Sequence, residues 1–123
     1  MITIKIKTNK SNIMSFDILS HALENREAIL AGDAYDMICN SVSVLSQSVI
    51  IGLDEVLKLN VNYQIKDGFL SMNLEGLSLE QIKQAQVLLK TFELSIISTI
   101  QSLDDMLGIE KRKKYITLIN EEV

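Results

Sequence analysis

The sequence predicts an α+β fold in which two long helices pack on a mostly antiparallel sheet, in the order β-β-α-β-β-α-β. Three observations carry that expectation. Segments with apolar residues at every second position come in pairs joined by polar turns. Two segments with apolar residues every three or four positions separate the pairs. Single strands do not alternate with single helices, as a wholly parallel sheet would require. The chain has 123 residues, 47% of them hydrophobic and 23% charged, a size suited to one core, so residues 1–123 are read as a single domain.

Ile2, Ile4 and Ile6 alternate with Thr3, Lys5 and Lys7, which buries one face of a first strand and wets the other. The polar stretch Asn9-Lys10-Ser11-Asn12 turns the chain into a second strand over 13–19, the antiparallel partner of the first. Residues 22–35 mix charges around Gly32 without an apolar period, and are expected to form a long mobile loop, with at most one helical turn at 23–29. Such loops commonly serve as lids or binding loops.

A helical period then runs over 37–57, with Val42, Leu45, Val49, Leu53 and Val56 on one face. Val44 and Ile51 lie on the opposite face, so cover is expected on both sides. Asp36 is the expected N-cap, which places Cys39 in the first turn, and Ser41, Ser48 and Gly52 are small enough for a close neighbour.

Segments 60–65 and 69–74 flank Lys66-Asp67-Gly68, a hairpin signal that calls for positive φ at Asp67 and Gly68. Ser78-Leu79-Glu80-Gln81 has the form of a capping box and opens a helix over 79–107 that Gly108 should end. At about 43 Å that helix exceeds what one sheet of this domain needs, and its outlying Val87, Leu88 and Ile97 are assigned to cover a second subunit. Lys111, Arg112, Lys113 and Lys114 read as a solvated connection to a fifth strand over 115–119.

The net charge of −4 gives no footprint for direct nucleic-acid or anionic-membrane binding. The alternating N-terminus does not resemble a secretory signal, and the most apolar run, 48–53, is far shorter than a bilayer span. A single cysteine rules out an intrachain disulfide framework and fits a reducing compartment, so the cytoplasm is expected. With one His and one Cys there is no zinc-ligand set, and no Gly-rich phosphate loop is visible. No metal and no cofactor is implied.

Thiol chemistry therefore has one candidate nucleophile, Cys39, and one candidate imidazole base, His21, on either side of the same loop. A helix first turn would favour a thiolate at Cys39 through free N–H groups and the positive end of the dipole, and Asp36 would orient the imidazole or cap the helix. By spacing alone, the alternative is a cysteine that simply packs.

The residues around that pair resemble a known family. Ser20-His21-Ala22, followed after a loop by Asp36-Met37-Ile38-Cys39-Asn40-Ser41-Val42-Ser43-Val44-Leu45, is similar to the His turn and Cys helix of the ribosomal-processing cysteine proteases. The Met-Ile-Thr-Ile start, the Asp-Gly hairpin and the closing 115–123 segment agree with it. The resemblance implies a small cytoplasmic homodimer. Its implied activity is removal of the N-terminal extension from a bacterial large-subunit ribosomal protein precursor, number twenty-seven, after a pair of aromatic residues. Cys39 would be the nucleophile and His21 the general base, with Asp36 and Ser43 at the family's supporting positions.

Ser20 stands where the family has a glycine, which would strain it if that position needs positive φ. Asn40 and Ser41 replace two very small residues, and the loop is longer. These departures keep a second reading open, a divergent or inactive dimeric module that binds a ribosomal or other basic partner. A third is a thiol redox sensor acting through Cys39.

Overall fold

The computed structural model describes residues 1–20 and 34–123. The expectations for His21, for the loop at 22–33 and for a helical turn at 23–29 lie outside the described residues. Strands β1 (Ile2–Asn9), β2 (Asn12–Ser20), β3 (Asn62–Lys66), β4 (Phe69–Asn73) and β5 (Ile116–Glu122) form one sheet in the order β3-β4-β2-β1-β5. Three of its pairings are antiparallel and β1 runs parallel to β5. Helix α1 covers Ala34–Ile51 and passes into a π-helical turn at Gly52–Val56; α2 covers Leu79–Leu107 and α3 covers Ile109–Lys113.

Register explains the layering. Ile4 sits opposite Ile18, and Ile18 opposite Leu70; Ile6 sits opposite Phe16, and Phe16 opposite Met72. All six are buried, as are Ile2 and its β5 partner Ile116. The period of two thus places one apolar row on the face that the helices cover. From α2, Ile82, Ala85, Leu89, Phe92 and Ile96 complete the core. The Phe16 and Phe92 rings stack there with centroids 4.5 Å apart.

The two turns divide the backbone work differently from the expectation. Lys10 (φ 50°) and Ser11 (φ 71°) both take the left-handed conformation, the pattern of the turn that matches strand twist in a two-residue hairpin. In the β3–β4 hairpin only Gly68 does (φ 73°), and Asp67 does not.

The expected pair of long helices holds in part. Helix α2 runs unbroken for 29 residues, opened by the Ser78–Gln81 capping box and ended at Gly108. Helix α1 has 18 residues. Since it includes Ala34, Tyr35 and Asp36, the expected loop ends earlier than residue 35, Asp36 lies inside the helix rather than capping it, and Cys39 belongs to its second turn. The π turn inserts extra backbone and rotates the stripe. Leu53 is therefore fully buried while Val56 points outward, against the expected continuous face. Val44 and Ile51 are exposed, so the expected second cover is not supplied by the described residues.

By length and composition, Tyr35–Val56 would suffice to cross a bilayer (mean hydropathy 1.3), which the short 48–53 run did not suggest. Here Ile38, Val42, Val49 and Leu53 instead face the core. The basic stretch is not simply a solvated connection either. It belongs to α3, where Arg112 Nε donates to Asp104 Oδ1 at 2.6 Å and the guanidinium also reaches the Ile116 carbonyl at 3.3 Å.

One buried polar side chain locks α2 to the sheet. The register slips between Lys7 and Thr8, leaving a bulge near Ile13, and such a bulge frees backbone groups from the ladder. Gln86 takes them: its Oε1 accepts from Ile13 N–H at 2.7 Å, and its Nε2 donates to the Ile13 carbonyl at 2.9 Å and to the Ile82 carbonyl at 3.1 Å. Gln86→Leu keeps the volume but strands both groups of Ile13. It should cost about 3 kcal/mol, read as a lower urea midpoint with an unchanged slope. A midpoint equal to wild type would show that the amide is not needed.

Candidate active site

Strand β2 ends at Ser20 with its side chain on the helix-facing side of the sheet, opposite Ile2. The backbone there is extended, since Ser20 does not take a positive φ, so the serine sits without the strain that a replaced glycine could have brought. Its N–H donates to the Gly68 carbonyl at 2.9 Å, which ties the tip of the β3–β4 hairpin to the end of β2. Gly68 suits that contact twice: its φ is positive, and an added Cβ would lie 3.0 Å from the Ser20 carbonyl oxygen.

Helix α1 lies across the end of β2 and brings Cys39 there. The thiol is half-buried, and Sγ is 3.9 Å from Ser20 Oγ, a long contact in which either atom can donate. A cleft of about 510 Å³ opens beside it. One wall is α1, with Cys39, Asn40, Ser43 and Gln47; the other is the hairpin, from Ile65 to Leu70; Ile2, Ile18 and Ser20 belong to its sheet side.

Ser43, one helical turn beyond Cys39, accepts from Gln47 Nε2 at 2.8 Å. Ser46 lines the cleft as well, fully buried, with its hydroxyl on the Val42 carbonyl at 2.8 Å. Among the candidates read from sequence, Cys39, Ser20 and Ser43 therefore meet at one cleft. Asp36 is exposed and does not line it. His21 lies outside the described residues.

Placing Cys39 in the second turn changes one part of the thiolate argument. The N–H groups without helical partners belong to the first turn, whereas the N–H of Cys39 points at the Tyr35 carbonyl in the normal ladder. Among the described residues, donors for an anion at Sγ are side chains such as the Ser20 hydroxyl. The sequence reading missed the residue best placed for that, Tyr35, because it assigned that position to the loop. Four residues before Cys39 on the helix, it lies on the same side, and this spacing was the signal available.

Tyr35 is buried and packs against the Tyr115 ring at a centroid distance of 6.1 Å. Burial pushes its phenol up to about 12; a hydrogen bond from Ser20 opposes the shift, and Cys39 and the Asp36 carboxylate add to it. The phenol therefore keeps its proton well into the alkaline range. No group of three or more metal-ligating side chains occurs among the described residues.

The stabilising share of this raised value is complete below the ordinary tyrosine value of 10 and is lost as pH rises toward about 12, because the unfolded phenol ionises first. A 295 nm titration should show a phenolate phase near that upper value, and Tyr35→Phe should abolish it. A late phase that persists in Tyr35→Phe would mean that another group produces it.

The chain matches the family model for the cysteine protease Prp over residues 1–114. No curated protein matches it. Among solved structures it is similar to SMU.848 from Streptococcus mutans, with 20% identity, a TM-score of 0.72, and coverage of 100% of this chain and 99% of that one. It is also similar to the essential ribosomal processing protease Prp from Staphylococcus aureus, solved with a covalently linked product peptide. There the identity is 18% and the TM-score 0.61, with 98% and 100% of the two chains covered. A hypothetical protein from Staphylococcus aureus follows at 16% identity and a TM-score of 0.55, over 98% of this chain and 100% of that chain. The structural likeness carries the fold, and the family match spans all but the last nine residues, 115–123, which hold β5: the chain belongs to the Prp family of cysteine proteases.

Proposed function

We propose that this chain is a cysteine endopeptidase that removes the N-terminal extension from a bacterial large-subunit ribosomal protein precursor, number twenty-seven, with Cys39 as nucleophile and His21 as general base. The observation that carries this reading is the single cysteine half-buried at the wall of an open cleft, in a chain of the Prp family. The solved Prp with a covalently linked product peptide has the same fold. His21 is bonded directly to Ser20, whose hydroxyl is the neighbour of Sγ.

In this reaction the imidazole of His21 takes the thiol proton and Sγ attacks the scissile carbonyl carbon. The tetrahedral intermediate collapses to a thioester as the imidazolium protonates the departing amine. Water, deprotonated by the same imidazole, then releases the acid and regenerates the thiol. In this proposal the Ser20 hydroxyl, 3.9 Å from Sγ, and Tyr35, one turn before Cys39 on α1, orient the thiol, and the side chains of Asn40, Ser43 and Gln47 offer polar contacts to the peptide on the α1 wall. Asp36, at a position the family resemblance marks as supporting, is exposed in the first turn of α1.

The working unit in this proposal is a cytoplasmic homodimer. Exposed apolar residues recur at seven-residue spacing on both helices, Val44 (67% exposed) and Ile51 on α1, Val87 (72%) and Leu94 on α2. Leu88 of α2 fills the space beside Gly52, so the two helices run close at that point. The acidic balance favours approach of a basic ribosomal substrate.

Mass spectrometry of the full-length precursor after incubation tests the proposal. Wild type should give a single cut after the aromatic pair, and Cys39→Ala and His21→Ala should each abolish turnover without loss of fold. Cutting by Cys39→Ala at the wild-type rate would remove the thiol from the mechanism. Retained binding without a cut by any form would support the binding module instead.

A further inference from the structure

Strand β3 is the outer strand of the sheet, and all five of its residues are exposed. Its residues alternate between two environments. Asn62, Gln64 and Lys66 face the solvent side, whereas Tyr63 and Ile65 stand opposite the buried Met72 and Leu70. Both therefore continue the sheet's apolar face past the point where the helices cover it, and they remain 46% and 50% exposed. Ile65 and Lys66 belong to the cleft that holds Cys39.

The ladder also fixes which backbone groups point outward. Ser20 N–H donates to the Gly68 carbonyl and Leu74 N–H to the Met14 carbonyl, both at 2.9 Å. Residues 68, 70, 72 and 74 of the β4 segment thus bond toward β2, and Phe69, Ser71 and Asn73 bond toward β3. Their partners Lys66, Gln64 and Asn62 spend their N–H and C=O groups on β4. Those of Tyr63 and Ile65 point away from the sheet, and no hydrogen bond reaches them among the described residues. The two residues with open backbone groups are the same two whose side chains continue the apolar face.

We infer that β3 is a docking edge for the peptide that enters the Cys39 cleft: the substrate adds to the sheet as a sixth strand, bonding to Tyr63 and Ile65 and laying alternate apolar side chains over them. This rests on the proposal that the cleft acts on a peptide. Continuity decides in favour of substrate over any other occupant, because the edge runs into the cleft at Ile65 and Lys66 and the hairpin tip is tied to Ser20. Main-chain bonds would supply affinity along the edge, and the apolar face would select side chains at every second position.

Proline separates the two halves of the ladder. Tyr63→Pro removes an outward N–H and spares the bonds to β4, a placement that edge strands tolerate. The probe is a fluorescent peptide spanning the precursor's extension and cut, titrated by anisotropy against protein carrying Cys39→Ala. Adding Tyr63→Pro should weaken binding roughly tenfold, the range expected for one lost backbone bond, with the melting temperature kept. Tyr63→Thr, which keeps the N–H, should lose less.

N-methylation scanned along the peptide gives a second readout that does not depend on folding of a variant: alternate positions should be sensitive. A flat scan, or unchanged affinity in a folded Tyr63→Pro, overturns the inference. So does a change of sedimentation from dimer to monomer in Tyr63→Pro with peptide affinity intact, which would assign the edge to a second copy. Failure of wild type to cut, with binding still sensitive to Tyr63→Pro, would defeat the protease reading and leave the docking edge standing.

Discussion

The hydrogen bond from Ser20 N–H to the Gly68 carbonyl is the constraint on which the site depends. It ends β2, seats the tip of the β3–β4 hairpin, and thereby sets the gap between the hairpin and α1 in which Cys39 lies. Gly68 meets this demand with a positive φ and no Cβ. Ser20 offers its backbone to the hairpin and its hydroxyl to the thiol, so one residue couples the architecture of the cleft to the position of its reactive atom. Weakening the contact would open the cleft and displace the β3 edge together, since Lys66 is only two residues from Gly68.

Helix α1 carries two incompatible tasks, and the π turn reconciles them. Its first half must bury Ile38 and Val42 while turning Cys39 partly outward. Its second half must bury Val49, Ile50 and Leu53 at the level of α2. A regular helix drifts relative to the sheet beneath it, and the π-helical segment at Gly52–Val56 corrects the phase. Leu53 stays inside, and the chain leaves toward Leu59 and Val61, both buried. Gly52, at this junction, leaves space for Leu88 of α2, which would lie 2.8 Å from an added Cβ. Inserting the correction costs the outward face an apolar residue, Val56.

Much of this was legible in the sequence because it depends on near neighbours. The alternation of Ile2, Ile4 and Ile6, the capping box at Ser78 and the stop at Gly108 are local signals, and each element forms where they put it. The errors came from positions decided at a distance. Asp36 looked like a cap because Asp favours that place, but residues upstream extend the helix. Asp-Gly marked the right hairpin, yet the pair of left-handed residues fell at Lys10 and Ser11, and the equally short Asp67-Gly68 turn takes a positive φ at Gly68 alone. Gln86 read as an ordinary polar helix residue; its value comes from a bulge more than seventy positions away in sequence. For the site, Cys39 was visible by type and position, and Ser20 through the family resemblance. Tyr35 was hidden because its importance follows from a helix start that the charged, glycine-containing stretch before it concealed.

The two edges of the sheet are protected in different ways, and the difference singles out β3. Unpaired edges invite association with other chains, and proteins blunt them with charge or by keeping them short. Strand β5 follows that rule, ending in Asn120, Glu121 and Glu122. Strand β3 is kept to five residues and enters from Asn60, whose φ of 57° bends the chain just before it, yet its two outward-bonding positions carry Tyr63 and Ile65. A purely protective design would place charge there. Apolar side chains at the open positions raise the hazard of self-association and are tolerable where a peptide ligand of matching pattern is the intended neighbour. The shortness of the strand then limits how much of any other chain can pair with it, so that affinity has to come from the edge and the Cys39 cleft acting on one continuous segment.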